Sequence, residues 1–192
     1  MRERSHDLRV VKTIDAIQSA FRALVLEKGF SAVTVKELCE RARINKKTFY
    51  RYYPAIEYLL AEVQAQYSQP YIASIAGLSF PADTERITRT FLEFSAAQDS
   101  FYEAITVSTA HEAIRRHMIL EVKQTTGLGE APPAGWDPGT WGIYLDFVTT
   151  APLRVYRAWI TGGKQLPAQQ MVTLGVALVM NGASALQQAT AR

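Results

Sequence analysis

This sequence is poor in the residues that mark several classes of protein. Its single cysteine, Cys39, excludes a disulfide within the chain, so we expect a reducing compartment, the cytoplasm. Only 11 glycines and 8 prolines occur among 192 residues, which excludes collagen-like and disordered chains. No apolar run reaches the roughly 18 residues that a membrane span needs, and we do not expect the charged start, MRERSHDLRVVK, to act as a secretory leader. The composition indicates a globular protein with no membrane partner.

Catalytic and metal-binding patterns are also scarce. His111 and His117 are six residues apart, which places them about 240° apart around a helix and off a common metal-binding face. Ser108 lies three residues before His111, but nothing supplies a third catalytic group or an oxyanion site. We therefore expect no metal, no cofactor and no enzyme activity, and we interpret Cys39 as a buried structural thiol.

Positive charge is concentrated in the first part of the chain. Residues 1–54 hold 12 Lys or Arg and 6 Asp or Glu, a balance of +6, whereas residues 55–192 have a balance of −3. A compact basic module before a mildly acidic body indicates a polyanionic partner. A solvated basic face without a partner would give the same count.

Helical spacing and helix-end signals predict an all-α protein. Ile14, Ile17, Phe21 and Leu24 fall on one helical face, and that helix should end at Lys28-Gly29. Two short helices are predicted next: 35–42 behind a Thr34–Glu37 capping box, and 46–52 behind Asn45. The later helices are a fourth to about Gln69-Pro70, Thr84–Ala97, one or two over Phe101 to about Thr125, Trp141–Ile160 with a kink at Pro152, and Pro167–Ala189.

The second and third helices, which a short turn separates, form a helix-turn-helix unit. Phe49, with Tyr52 or Tyr53, should face inward, while cations, a hydroxyl and a phenol face outward, where they suit a DNA groove and its phosphates. Thr34 adds the start of a helix, where free N–H groups suit a phosphate. The predicted DNA contacts are Thr34, Arg43, Asn45, Lys46, Lys47, Thr48, Tyr50, Arg51 and Tyr52.

Residues 12–63 resemble the DNA-binding domain of the TetR family of bacterial transcription regulators. The matching residues are Glu27-Lys28-Gly29-Phe30, Thr34-Val35, Leu38, Ala42, Thr48-Phe49-Tyr50-Arg51-Tyr52, Glu57, Leu59 and Leu60. The resemblance implies an N-terminal three-helix DNA-binding domain, residues 1–54, and a C-terminal helical domain, residues 55–192, that binds an effector and dimerises. A dimer would place its two recognition helices roughly 34 Å apart on a near-palindromic operator.

Two positions depart from the family pattern. The family usually has glycine where this chain has Arg43, and a positive φ there would cost arginine of order 1 kcal/mol. The alternatives are a slightly different turn, or a phosphate contact by the extra cation. The family often has a DNA-contacting lysine where this chain has Ile56, so one phosphate contact is expected to be missing.

The last helix carries a predicted dimer interface. Gly175 and Gly182 are seven residues apart and share a face, which permits a close approach of helices. The interface set is Gly175, Leu178, Val179, Gly182 and Leu186. A buried helix in a monomer core is the alternative.

Aromatic residues of the second domain suit an apolar effector, although aromatic stripes also form ordinary cores. The predicted ligand-binding set is Phe91, Phe94, Phe101, Tyr102, His111, Trp141, Tyr144, Phe147 and Trp159. The resulting hypothesis is a dimeric repressor that an unknown small molecule releases from its DNA operator. The alternatives are an activator or corepressor-dependent regulator, and a ligand-binding or scaffold protein of the same fold that has lost operator binding.

Overall fold

The computed structural model describes the backbone of residues 2–107, 122 and 132–190, and the side chains of residues 8–107, 122 and 132–184. Every regular element within these residues is helical, which confirms the all-α prediction. The α-helices are α1 (Arg2–Lys28), α2 (Val35–Arg41), α3 (Lys46–Tyr52), α4 (Ile56–Ser74), α5 (Thr84–Ala96), α6 (Ser100–Val107), α7 (Pro138–Thr161) and α8 (Ala168–Thr190).

Two helices differ from the predicted bounds. The sequence predicted an end to α4 near Pro70, but the helix continues to Ser74. Pro70 is exposed, and the next residue, Tyr71, is buried. Burial of the next turn outweighs the backbone hydrogen bond that a proline removes. α7 begins at Pro138 rather than Trp141, because the Asp137 carboxylate accepts hydrogen bonds from the Gly139 and Thr140 amides.

The remaining predicted bounds agree closely where the structure describes them. α5, the end of α7 at Gly162 and the start of α8 lie within one or two residues of the predicted positions. α6 begins at Ser100, and the predicted continuation toward Thr125 lies mostly outside the described residues. Pro152 is buried inside α7, which remains helical on both sides of it.

The chain divides into two compact units. Unit 1 comprises Met1–Tyr67 and Asp99–Ala110, and unit 2 comprises Ser68–Gln98 and His111–Arg192. The predicted domain boundary between residues 54 and 55 separates DNA binding from effector binding and dimerisation, and it stays a prediction.

Unit 1 has a core built around α1. The side chains of Ile17, Phe21 and Leu24 are buried, as their helical spacing predicted. α1 packs against α2 and α6, and Phe21 meets Phe101 of α6 edge to face with ring centres 5.9 Å apart. This core holds the short helices α2 and α3 in a fixed orientation.

Unit 2 is built by α5, α7 and α8, with α8 packed against the other two. Trp141 and Tyr144 stack within α7, with ring centres 5.3 Å apart and planes 10° apart. The Tyr156 hydroxyl donates to the Ser95 carbonyl at 2.8 Å, and this bond joins α7 to α5. None of the described helices combines the length and apolar character that crossing a membrane requires.

Candidate nucleic-acid interface

α2 begins with the capping box that the sequence predicted. The Glu37 amide donates to Thr34 Oγ1 at 3.3 Å, and Glu37 Oε2 accepts from the Thr34 amide at 3.3 Å and from its hydroxyl at 2.6 Å. The Thr34 hydroxyl is therefore already engaged by Glu37.

Two ion pairs hold α2 against the last turn of α1. Lys28 Nζ lies 2.6 Å from Glu37 Oε1, and Arg41 makes two parallel hydrogen bonds of 2.6 Å to the Glu27 carboxylate. The hydrogen bond from Lys28, followed by that from Thr34, lowers the pKa of Glu37 to about 2. The hydrogen bond from Arg41 also lowers the pKa of Glu27. These carboxylates therefore neutralise the cations nearest to them.

The turn between α2 and α3 has Arg43 in a left-handed conformation, with φ of 54°. The Ile44 amide donates to the Cys39 carbonyl at 3.0 Å, and the Arg43 amide donates to the Glu40 carbonyl at 3.2 Å. This pair of bonds is a Schellman motif, which requires a positive φ at the residue that Arg43 occupies. Arg43 therefore has the positive φ at which a steric cost was expected, and the size of that cost stays a prediction.

α3 presents a buried face and a cationic face. The Asn45 side chain caps it, because Oδ1 accepts from the Thr48 amide at 2.8 Å and from the Thr48 hydroxyl at 3.0 Å. Phe49 is fully buried and Tyr53, rather than Tyr52, completes the inward face. Burial raises the pKa of Tyr53 to about 12, and its hydroxyl donates to Glu62.

The predicted contact residues of α3 mostly lie on its exposed side. Tyr50 is half exposed, and its ring rests edge to face on Phe49 with centres 5.4 Å apart. Thr48 and Tyr52 are partly buried, while the remaining members of the set on or beside α3 are exposed: Arg43, Asn45, Lys46, Lys47 and Arg51. The exposed face therefore combines several cations with one phenol.

Two other predicted features of this region have clear positions. Cys39 is buried in the helix-turn-helix, and burial raises the pKa of its thiol, as suits a structural cysteine. Ile56 is the first residue of α4 and is partly buried, so this position contributes packing where the family often has a lysine.

The described members of the predicted ligand-binding set are divided between the two units. Phe101 and Tyr102 lie in unit 1, where Phe101 packs on Phe21 and Tyr102 lies beside Tyr67, because α6 belongs to the core around α1. The ligand-binding set stays a prediction. His111 lies outside the described residues.

The other predicted ligand residues occupy several places in unit 2. Phe91 and Phe94 are partly buried against Tyr71, and Trp141 and Tyr144 are buried in the core. Phe147 lies beneath Gly182, and the Trp159 indole donates to the Leu166 carbonyl at 2.8 Å. Among the described side chains of unit 2, two buried polar atoms have no hydrogen-bond partner: Trp141 Nε1 and Thr88 Oγ1.

The predicted dimer residues lie on different faces of α8. A Cβ at Gly175 would meet Leu92 at 2.6 Å, and one at Gly182 would meet Phe147 at 2.5 Å. Val179 is fully buried, so these three residues pack against the chain's own helices rather than forming a free surface. Leu178 is 54% exposed on the other side of the helix, and the side chain of Leu186 lies outside the described residues.

Sequence reasoning missed two cations of unit 1. Arg9 and Lys12 are exposed and three residues apart on α1, and the basic excess of residues 1–54 is the signal that could have found them. Within the described part of the chain, no three His, Cys, Asp or Glu side chains lie together as a metal site would require.

Comparison with known proteins identifies the N-terminal region. Residues 17–63 match the model of the tetR family of bacterial regulatory proteins. Over 41 residues the chain is 51% identical to YdeS of Bacillus subtilis, an uncharacterized HTH-type transcriptional regulator. This match covers 21% of each chain, so the sequence spans about a fifth of the length of this curated relative.

Solved structures extend the likeness to the whole fold. A TetR transcriptional regulator from Streptococcus agalactiae matches with a TM-score of 0.66 at 17% identity, over 92% of this chain and 98% of that one. A TetR-family protein from Vibrio parahaemolyticus matches with a TM-score of 0.52 at 19% identity, over 86% and 97%. The segment that matches the model of the tetR family contains α2, α3 and their turn, and the whole chain shares the fold of the two solved regulators.

Proposed function

We propose that this TetR-type regulator is a dimeric repressor that binds a near-palindromic operator in the bacterial cytoplasm and leaves it when a small molecule binds. The observation that carries the proposal is the exposed face of α3, where Lys46, Lys47 and Arg51 form no ion pair with a described carboxylate. A short cationic helix fixed by a buried core is suited to the major groove. The proposal assigns no catalytic step to the chain.

The chemistry of α3 divides its contacts into two kinds. Lys47 and Tyr50 lie three residues apart on the exposed face, where the ammonium can donate to guanine acceptors or phosphates and the phenol to a phosphate. Thr48 uses its hydroxyl on Asn45, which leaves its methyl group for contact with a thymine methyl. The cations supply affinity, and the groups nearest the bases supply specificity.

Dimerisation is supported by an exposed apolar strip on α8. Leu174 is 49% exposed and Leu178 is 54% exposed, and their spacing of four residues puts them on one face. Gly175 and Gly182 contribute indirectly, because they let α8 pack closely on α5 and α7 and thereby fix the direction of this strip. We assign the partner contact to the strip.

The effector site is assigned to unit 2. Its core contains Trp141, Tyr144 and other aromatics, and Trp141 Nε1 and Thr88 Oγ1 have no partner among the described residues. A ligand with an apolar ring and a hydrogen-bond acceptor would complement such groups. A 100-fold loss of operator affinity requires about 2.7 kcal/mol of coupling between ligand and DNA.

The test is selection of bound fragments from the source genome, followed by affinity measurement on the enriched sequence. Enrichment of a near-palindrome by the purified protein supports specific dimeric binding. The variant Lys47→Ala/Tyr50→Ala is expected to bind this operator about 100-fold more weakly. The matched control Lys36→Ala/Tyr58→Ala removes the same residue types at exposed positions outside α3, and it should bind like the parent protein.

The alternatives predict different results in the same selection. Enrichment only in the presence of cell extract indicates a corepressor-dependent regulator. Transcription that rises on operator binding indicates an activator. No enrichment in either condition by a folded dimer contradicts the proposal and supports a ligand-binding or scaffold protein of this fold.

A further inference from the structure

The cations of unit 1 fall into two groups. Among its described residues, four are ion-paired: Arg22 with Asp99, Lys28 with Glu37, Lys36 with Glu40, and Arg41 with Glu27. The other six form no ion pair with a described carboxylate: Arg9, Lys12, Arg43, Lys46, Lys47 and Arg51. The uncompensated charge therefore lies on the first part of α1, on the turn, and on α3.

A groove joins the first part of α1 to the turn. It has a volume of about 500 Å³ and is lined by Leu8, Arg9, Lys12, Thr13, Ala16, Ala42 and Ile44. Ala42 and Ile44 flank Arg43 in the chain, so this wall of the groove leads directly into the turn before α3. The groove therefore borders the turn that precedes the helix assigned to the DNA bases.

The lining combines two cations with apolar side chains. Leu8 is 61% exposed, and Thr13 has its hydroxyl engaged by the Arg9 carbonyl, so the groove presents hydrocarbon between the two charges. Asp15, the nearest described carboxylate along α1, is not among the lining residues. A sugar-phosphate strand has the complementary chemistry, since its phosphates are anionic and its deoxyribose rings are largely apolar.

We infer that this groove receives the DNA backbone beside the bases that α3 reads, with Arg9 and Lys12 neutralising phosphates. The inference rests on the proposed DNA binding and adds a contact that is independent of base sequence. Arg9 and Lys12 then contribute to affinity on every duplex, whereas the groups of α3 that reach base edges, such as Lys47 at guanine, distinguish the operator from other DNA. Each phosphate contact adds about 0.9 to the slope with which the logarithm of the binding constant falls against the logarithm of the salt concentration.

The test compares Arg9→Ala/Lys12→Ala with the control Arg86→Ala/Arg89→Ala, which removes two charges from unit 2. Affinity is measured against salt on the selected operator and on a random duplex of equal length. The groove variant should bind both about tenfold more weakly, with a slope smaller by about 2 for each bound subunit. The control should keep the affinity and slope of the parent protein, and circular dichroism should show that both variants are folded.

The outcomes separate the inference from the proposed function. If the parent protein selects an operator and the groove variant binds like the control, the inference is wrong and the proposed function stands. If the groove variant weakens operator binding but leaves random-duplex binding and the slope unchanged, the backbone contact is also wrong. If the parent protein binds neither the operator nor the random duplex, both the inference and the proposed function are wrong. Binding to phosphatidylserine vesicles is measured as well. If the groove variant keeps its DNA affinity but loses vesicle binding that the parent protein has, the groove belongs to a lipid surface and the inference is wrong.

Discussion

The guanidinium of Arg22 lies over two aromatic rings, 4.9 Å from the centre of Phe101 and 5.2 Å from the centre of Tyr67. It also donates to the Tyr67 hydroxyl at 2.5 Å and lies 3.7 Å from the Asp99 carboxylate. The Tyr67 hydroxyl donates to the same carboxylate, and burial together with this bond raises the pKa of Tyr67. One cation thus links α1 to α4 and to the start of α6.

Replacing Arg22 by alanine should lower the free energy of unfolding by about 1–2 kcal/mol. The change removes two cation–π contacts and a hydrogen bond to Tyr67. Chemical denaturation of the variant measures the loss. The control Arg89→Ala breaks an exposed pair with Glu85 and should cost less than about 0.5 kcal/mol. Equal stability of the two variants would contradict the role given to Arg22.

Replacing Arg43 by glycine should raise the free energy of unfolding by about 1 kcal/mol. Glycine adopts the positive φ of this Schellman motif without the steric cost that any Cβ has there. Arg43→Ala removes the same cation but keeps the Cβ, so it should show no such gain. The two variants compared by denaturation separate backbone strain from charge, and equal stabilities would argue against strain at this turn.

Replacing Gly175 by alanine should destabilise the protein by about 1–3 kcal/mol. The new methyl group would lie 2.6 Å from Leu92, which is fully buried, and 3.0 Å from Val155. Gly142→Ala is the matched control, because its Cβ would meet nothing within 4 Å. That control should instead stabilise α7 by about 0.5–1 kcal/mol. Thermal unfolding that places both variants above the parent protein would contradict the close packing at Gly175.

The Glu37 carboxylate should make stability depend on pH in acid. Its pKa is lowered from 4.5 to about 2, so the stabilising effect is complete above 4.5 and is lost as the pH falls through about 2. Lys28→Ala removes the main cause of the shift and should flatten this dependence. Thermal unfolding across that interval provides the measurement. Lys36→Ala, which removes a looser pair with exposed Glu40, should leave the curve unchanged.

Short-range signals in the sequence predicted the helix-turn-helix well. Thr34 and Glu37 are three residues apart, and Asn45 and Thr48 likewise, so each cap depends only on its own neighbours. The family's usual glycine raised the possibility of a positive φ at Arg43, and the turn has it. Local chemistry decides these features, and for that reason one sequence is enough to predict them.

Long-range packing could not be predicted in the same way. Phe101 is an aromatic residue at helical spacing, and nothing near it in the chain indicates that it packs on Phe21, 80 residues earlier. Gly175 and Gly182 share a helical face as predicted, but the sequence did not say that the facing helices belong to the same chain. Periodicity identifies which face is buried without identifying the partner that covers it.

The proline inside α4 should affect the hydrogen exchange of the backbone amides on either side of it. α4 begins in unit 1 and ends in unit 2, with the boundary after Tyr67 and Pro70 three residues beyond it. Because Pro70 has no N–H, the Gln66 carbonyl loses its usual helical donor close to that boundary. Deuterium uptake is therefore expected to change abruptly near Pro70, with the amides before it exchanging as part of unit 1 and those after it as part of unit 2.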